Sequence, residues 1–275
     1  MGFKMKEKQQ QMKLAAQEFA NGIPIEEVMN KYEVSYASVY NAIKRYNIDY
    51  NYTYGRTIFF NENYFEAIDT SEKAYWLGFI FADGSVVKTD KKVSTYNRLQ
   101  INLSIKDKNH LEKFAQAINF PIENMFEHTP TTSYSCTPMV CLYCNSIKMA
   151  TDLIKLGCIP NKTYGCNVPI LDKNLYSHFI RGYFDGDGCI SIKKVGQTSI
   201  SGMYSFTSDE QFLLQLQQLL MENCNLNKTA LYQEKNAVRL SYGGKQQLIR
   251  IYNYMYKDST IHLQRKYDKF SLLFS

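Results

Sequence analysis

The sequence predicts an α+β chain in which two pseudo-symmetric repeats of order αββαββα, with paired central helices and antiparallel sheets, follow a small all-α domain. Three observations lead there. A nine-residue segment occurs twice in related form, Trp76 to Gly84 (WLGFIFADG) and Ile180 to Gly188 (IRGYFDGDG). Features around it recur in step, so that Asp83 and Asp187 lie 104 positions apart, as do Lys162 and Lys266. The N-terminal stretch lacks the motif and carries helical periodicity instead. The expected division is 1–48 for the helical domain, 49–69 for a linker, 70–172 for repeat 1 and 173–275 for repeat 2. Each repeat has an ordinary domain size.

At the N-terminus, Lys13 to Asn21 reads as a helix with Leu14, Ala15, Phe19 and Ala20 inward, and Gly22 stops it. Ile25 to Tyr32 is a short second helix behind Pro24. A tight turn at Glu33-Val34 leads to Ser35, the N-cap of a third helix running through Tyr46. On that helix Val39 and Ile43 turn inward with Val28 and Val34, leaving Tyr36, Ala37, Tyr40, Asn41, Lys44 and Arg45 outside. This polar, basic set suits contact with base edges and phosphates, and a three-helix protein-interaction module is the competing reading. The segment resembles the helix-turn-helix domains of resolvases and phage regulators. Asp49 to Asn63 has no helical period and reads as a linker. It either lies along a nucleic acid, with Arg56 on a phosphate, or packs on the main domain.

Within each nine-residue motif, small residues stand four apart, Gly78 and Ala82 in one and Gly182 and Gly186 in the other. They strip a helical stripe of side chains, so two such helices can bring their backbones close. Their ends then set Asp83 beside Asp187. Two unit charges ~4 Å apart repel by about 4 kcal/mol at an effective dielectric of 20, and each sits at the negative end of a helix dipole. A cation relieves that cost. For either copy alone, a helix C-cap with an incidental acid would explain the pattern. Asp185, at the sixth motif position, is Phe81 in the first copy and reads as structural.

A strand follows each Asp-Gly. Lys106-Asp107 or Ser208-Asp209 then opens an apolar helix, and Val140-Cys141-Leu142 or Val238-Arg239-Leu240 marks a later strand. Arg98 to Ile105 alternates, with Leu99, Ile101, Leu103 and Ile105 on one face and Arg98, Gln100, Asn102 and Ser104 on the other. Long polar side chains on a twisted open sheet can follow a major groove, or simply meet water. The second copy is less regular. Ser191, Lys193 and Arg239 are its counterparts, with Ser201 and Ser205 unassigned because a one-residue register error exchanges the faces.

These paired motifs resemble those of LAGLIDADG homing endonucleases in their single-chain, two-repeat form, over roughly residues 70 to 275. The resemblance implies a site-specific DNA endonuclease with DNA-facing sheets, a long asymmetric double-stranded target and a monomer of pseudo-twofold symmetry. It implies Asp83 and Asp187 as catalytic metal ligands, with Lys162 and Lys266 assisting the chemistry. It places Arg98, Gln100, Asn102, Lys193 and Arg239 against DNA, beside Tyr36, Tyr40, Asn41, Lys44 and Arg45 of the N-terminal domain. The cation expected is Mg²⁺, with Mn²⁺ able to substitute. Such proteins belong to mobile elements and intron homing. Two other readings stay open, a DNA-binding regulator that does not cleave and an RNA maturase assisting intron splicing.

Composition fits a nucleic-acid protein. The formal charge is +6, and residues 235 to 275 hold eight Lys or Arg against two Asp or Glu. That patch suits phosphates, though a solvated basic face would look alike. The N-terminus is polar with no leader-like apolar stretch, and no apolar run approaches the ~20 residues of a membrane span, so a cytoplasmic location without membrane contact is expected. Seven cysteines at irregular spacing fit a reduced compartment. Cys141-Leu142-Tyr143-Cys144 has the spacing of a zinc half-site but no second pair, and the four histidines, His110, His128, His178 and His262, are scattered. No intein-splicing signature accompanies the motifs, so a free-standing protein is expected.

Overall fold

The computed structural model describes residues 2–21, 23, 25–48, 58–90, 95–130, 137–159, 165–195, 199–235 and 237–274. The chain divides into two compact units, Met1–Phe59 and Phe60–Ser275. Gly22, Pro24, Arg56 and Lys162 lie outside the described residues.

The smaller unit holds α1 (Gly2–Ala20), α2 (Ile25–Tyr32) and α3 (Tyr36–Arg45). Its core joins Ala15, Ala16 and Phe19 of α1 to Val28 of α2 and Val39, Ala42 and Ile43 of α3, with Val34 packed alongside. Two expectations need correcting. α1 begins at Gly2 rather than near Lys13, and Leu14 is exposed. Counting back three and four residues from Phe19 gives Ala16 and Ala15 as the inward stripe, so Leu14 falls on the other face. Glu33 turns the chain between α2 and α3 at φ 52, and Ser35 Oγ accepts the Ser38 amide as the N-cap.

The larger unit contains two repeats of one plan. The first runs α4 (Ser71–Asp83), β1 (Gly84–Asp90), β2 (Thr95–Ser104), α5 (Lys108–Ala117), β3 (Phe126–His128), β4 (Met139–Asn145) and α6 (Ile147–Lys155). The second runs α7 (Tyr176–Asp187), β5 (Cys189–Val195), β6 (Ser199–Ser208), α8 (Glu210–Cys224), β7 (Tyr232–Gln233), β8 (Val238–Gly243), α9 (Lys245–Tyr256) and α10 (Gln264–Ser271). Each repeat has a four-stranded antiparallel sheet, ordered β1-β2-β4-β3 and β5-β6-β8-β7. The α+β class and the duplicated αββαββα plan therefore hold, and the second copy continues into α10, whose first counterparts by spacing, 160–164, lie outside the described residues.

Residues 60–69, at the end of the stretch expected as linker, pack on repeat 1. The Asn61 amide donates to Ile118 O at 2.6 Å, Phe60 meets Phe120, and buried Phe65 stacks on Phe114. An aromatic-rich segment beside an apolar helix gains more by burial than by extension through water. Among the described residues, no helix is long and apolar enough to cross a membrane.

Candidate functional site

Every residue from Ala74 to Ala82 of α4 is buried, as expected of a helix enclosed on all sides. Its closest neighbour is α7. A Cβ on Gly78 would overlap the Phe179 carbonyl, and one on Gly182 would overlap the Tyr75 carbonyl. Further along, a Cβ on Gly186 would overlap that of Ala82 and stand 3.2 Å from Asp83 Oδ2. Contacts that advance together along both helices mean that α4 and α7 run side by side in one direction. Their last residues, Asp83 and Asp187, therefore meet at one end, with Asp83 laid against the glycine that precedes Asp187. Gly84 and Gly188 follow as C-caps, donating to Ile80 O and Phe184 O.

Lys266 reaches this end but does not extend freely. Its buried ammonium donates to three backbone carbonyls, Phe184, Gly186 and Gly188, each at 2.7 Å. All three protons are used on the last turn of α7. Burial lowers the Lys266 pKa to about 8, with Asp185, Asp83 and Asp187 among the charges that oppose the shift. The side chain expected to assist a reacting water is thus, in this geometry, the clasp that closes α7. The neighbouring Arg265 forks onto Asp107 with three contacts of 2.9 to 3.2 Å, tying repeat 2 to repeat 1.

A buried polar chain runs beside the helix pair. Tyr75 Oη is 2.8 Å from His110 Nε2 and donates at 2.8 Å to Asp185 Oδ2, which also accepts the Leu263 amide at 2.7 Å. Burial lifts the Asp185 pKa to about 6, against the pull of those two donors, and drops that of His110 to about 3. Arg181, also buried, donates to Met255 O at the end of α9 and to Ile261 O. The reading of Asp185 as structural agrees with this placement. Tyr75, His110 and Arg181 were missed, because a polar residue in an apolar helix shows its partner only in three dimensions.

The sheets group the polar residues expected at an interface on one face each. Strand register puts Arg98, Gln100 and Asn102 of β2 on the face opposite buried Leu99, Ile101 and Leu103. Across from them stand Asn145, Tyr143 and Cys141, and the Arg98 guanidinium lies 4.4 Å from the Tyr143 ring centre. In the second sheet Ser191, Lys193 and Arg239 share a face, joined by Ser201, Met203 and Ser205, with Arg239 ion-paired to Glu234. Tyr143 and Asn145 went unread although they alternate with apolar Leu142 and Cys144. Cys141 pairs with Asn102 and Cys144 with Leu99, so the two thiols face opposite sides of the sheet.

In the smaller unit, Tyr36, Asn41, Lys44 and Arg45 are exposed on α3. Tyr36 stacks on Tyr40 at 6.1 Å, and Lys44 stands 4.9 Å over the Tyr40 ring.

Residues 174–255 match a family model described as a LAGLIDADG-like domain. Among solved structures, the chain is similar to meganuclease I-SmaMI bound to uncleavable DNA with a TTGT central four, at 13% identity over 73% of this chain and 86% of that one, with a TM-score of 0.50. It is also similar to the I-LtrWI LAGLIDADG homing endonuclease bound to target DNA, at 14% identity over 78% and 90% with a TM-score of 0.49. A third is LAGLIDADG meganuclease I-AabMI bound to uncleaved DNA, at 13% identity over 73% and 88% with a TM-score of 0.49. No curated protein matches the sequence. The likeness to I-SmaMI shows the meganuclease fold.

Proposed function

We propose that this chain is a site-specific endonuclease that cuts both strands of a long, asymmetric DNA duplex, acting as a monomer with pseudo-twofold symmetry. One observation carries the reading: Asp83 and Asp187 are the last residues of two helices that run side by side with touching backbones, so both acids lie at the same end of the pair. Nothing in helix packing asks for an acid at both ends, and helix dipoles make the pairing costly. Hard anionic oxygens of this kind fit Mg²⁺ or Mn²⁺, and Asp83 and Asp187 would hold the ion. Bound there, such an ion lowers the pKa of water and neutralises charge on the phosphate and the leaving 3′ oxygen.

The chain's own residues supply position. The polar sheet faces offer Arg98, Gln100, Asn102, Lys193 and Arg239 to the duplex, and each helix end leads directly into the first strand of its own sheet. Lys266 holds the last turn of α7, and Lys162 is its counterpart in repeat 1 by spacing. The smaller unit adds affinity through Tyr36, Tyr40, Asn41, Lys44 and Arg45 on α3. The LAGLIDADG-like match in repeat 2 and the fold shared with a DNA-bound meganuclease support DNA as the partner. Action on DNA sets the expected location inside the cell.

The test is cleavage of supercoiled plasmid carrying a duplex that the protein selects from a randomised pool, in Mg²⁺, beside gel-shift titration. Asp83→Asn and Asp187→Asn should each abolish double-strand cutting while retaining DNA binding, and Ca²⁺ should support binding without efficient cutting. Wild-type cleavage by either variant would remove the proposed site. A chain beginning at Phe60 should still cut at raised concentration, with a shallower dependence of log affinity on log salt.

A further inference from the structure

We infer that Asp185 is a positioning residue that sets the geometry of the Asp187 end of the site through α10, where the equivalent position of repeat 1 carries the aromatic ring of Phe81. This rests on the endonuclease reading and names the part of that site on which one strand's cleavage depends.

The helix α10 has no side-chain cap of its own: Leu263 occupies the N-cap position and makes no such bond. The group that satisfies the Leu263 amide comes from elsewhere, as Asp185 Oδ2 at 2.7 Å. That carboxylate is fully buried and is steadied from the other repeat by Tyr75 Oη. Arg181, one turn earlier on α7, fixes the approach to α10 by binding Met255 O and Ile261 O. Three residues after Leu263, Lys266 returns to α7 and closes on Phe184, Gly186 and Gly188, the carbonyls that flank Asp185 and Asp187. The result is a closed loop from α7 to α10 and back. Its outward link is Asp185 and its return link is Lys266, and Asp187 sits inside it. Orphan carbonyls at a helix end take a lysine well, but a buried ammonium arrives there only if its own helix starts in the right place. In repeat 1 the residue equivalent to Asp185 is Phe81, whose apolar ring packs on Phe179 and Phe212.

The experiment follows strand-specific cutting of the selected duplex, end-labelled on either strand, with hydrogen exchange of the DNA-free protein read in parallel. Asp185→Leu should slow cleavage of one strand roughly tenfold or more relative to the other, accumulating nicked product, because misplacement of a reacting group costs rate steeply. DNA affinity should stay within about twofold, since no sheet contact is touched. Asp185→Asn, whose amide oxygen still accepts the Leu263 N–H, should restore the wild-type strand ratio. Tyr75→Phe, which removes one donor and leaves the fold of α7 intact, should bias the same strand more weakly, which keeps the test valid if Asp185→Leu folds poorly. Exchange should rise in peptides covering 184–188 and 263–266 but not in one covering 80–85. Equal slowing of both strands, an unchanged strand ratio, or unaltered exchange at 263–266 would overturn the proposal. A wild type that cuts neither strand would remove the endonuclease reading instead, and the exchange data would still decide whether Asp185 sets α10.

Discussion

Equivalent positions on the two flanks of the central helix pair carry opposite chemistry. On one flank Asp185 of α7 accepts from Tyr75 of α4 at 2.8 Å, and the same Tyr75 hydroxyl lies 2.8 Å from Nε2 of His110 on α5. On the other, Phe81 of α4 meets Phe179 of α7 edge-on at 5.3 Å and lies stacked with Phe212 of α8 at 6.3 Å. The motif places Asp185 opposite Phe81 and Tyr75 opposite Phe179, and His110 and Phe212 each fall three residues after the aspartate that opens their helix. The backbone frame is therefore duplicated, while the filling is not. Aromatic packing needs shape alone and tolerates small shifts, whereas a buried hydrogen-bonded chain is favourable only in one arrangement. The polar flank is also the one that holds α10, so directionality appears where a further helix must be located.

The frame common to both flanks should be the most sensitive part. Gly78→Val and Gly182→Val each drive a branched side chain into a backbone carbonyl of the facing helix, which cannot rotate away. Both variants should lose the cooperative thermal transition of the larger unit, measured by circular dichroism. If one folded normally, the two copies of the motif would not be equivalent in packing.

Exchange of chemistry between flanks comes next. Phe81→Asp buries a carboxylate among Phe179 and Phe212, and should cost about 3–5 kcal/mol in urea unfolding, the range for an uncompensated buried charge. Tyr75→Phe makes the polar flank resemble its counterpart. It leaves Asp185 Oδ2 with the Leu263 amide as its remaining described donor and should cost about 1–3 kcal/mol. Equal costs would mean that the flanks differ in residue type but not in how far each specifies its partners.

How much of this the sequence disclosed follows the same division. The duplicated frame was legible because it is written in local patterns: small residues four apart, an Asp-Gly at each helix end, and alternation in β2. Asp83 and Asp187 could be placed together because helix geometry converts that spacing into proximity. The path of α10 was not legible, since Lys266 sits 80 residues from the Gly186 carbonyl it binds and no local rule connects them. The spacing that matched it to Lys162 carried no information about where the ammonium points. Likewise Leu14 looked inward on hydrophobicity, and only the three-helix core showed that two alanines had taken that place. Residues 60–69 looked like linker because their partners, Phe114, Ile118 and Phe120, lie about fifty positions later.

The smallest expected effect isolates one member of the polar flank. His110 is held neutral by burial, with a folded pKa of about 3 against an ordinary value of 6.5. Below pH 6.5 the unfolded chain takes up a proton that the folded chain refuses, so this histidine's contribution to stability is complete above that pH and declines as pH falls toward 3. Asp185 works in the opposite sense. Its folded pKa, raised to about 6, means that the native state binds protons sooner than the unfolded state, and acidification through that range favours folding. The two partly offset in the intact protein, which should show little net change between pH 7 and 5.5 from this flank. His110→Phe, which installs the residue found at the equivalent position 212, removes the first effect and leaves the second. The gap in unfolding free energy between variant and wild type should therefore shift by about 1 kcal/mol in the variant's favour from pH 7 to 5.5, read from urea titrations at both pH values. A gap independent of pH would show that His110 takes up its proton as readily in the folded chain as in the unfolded one.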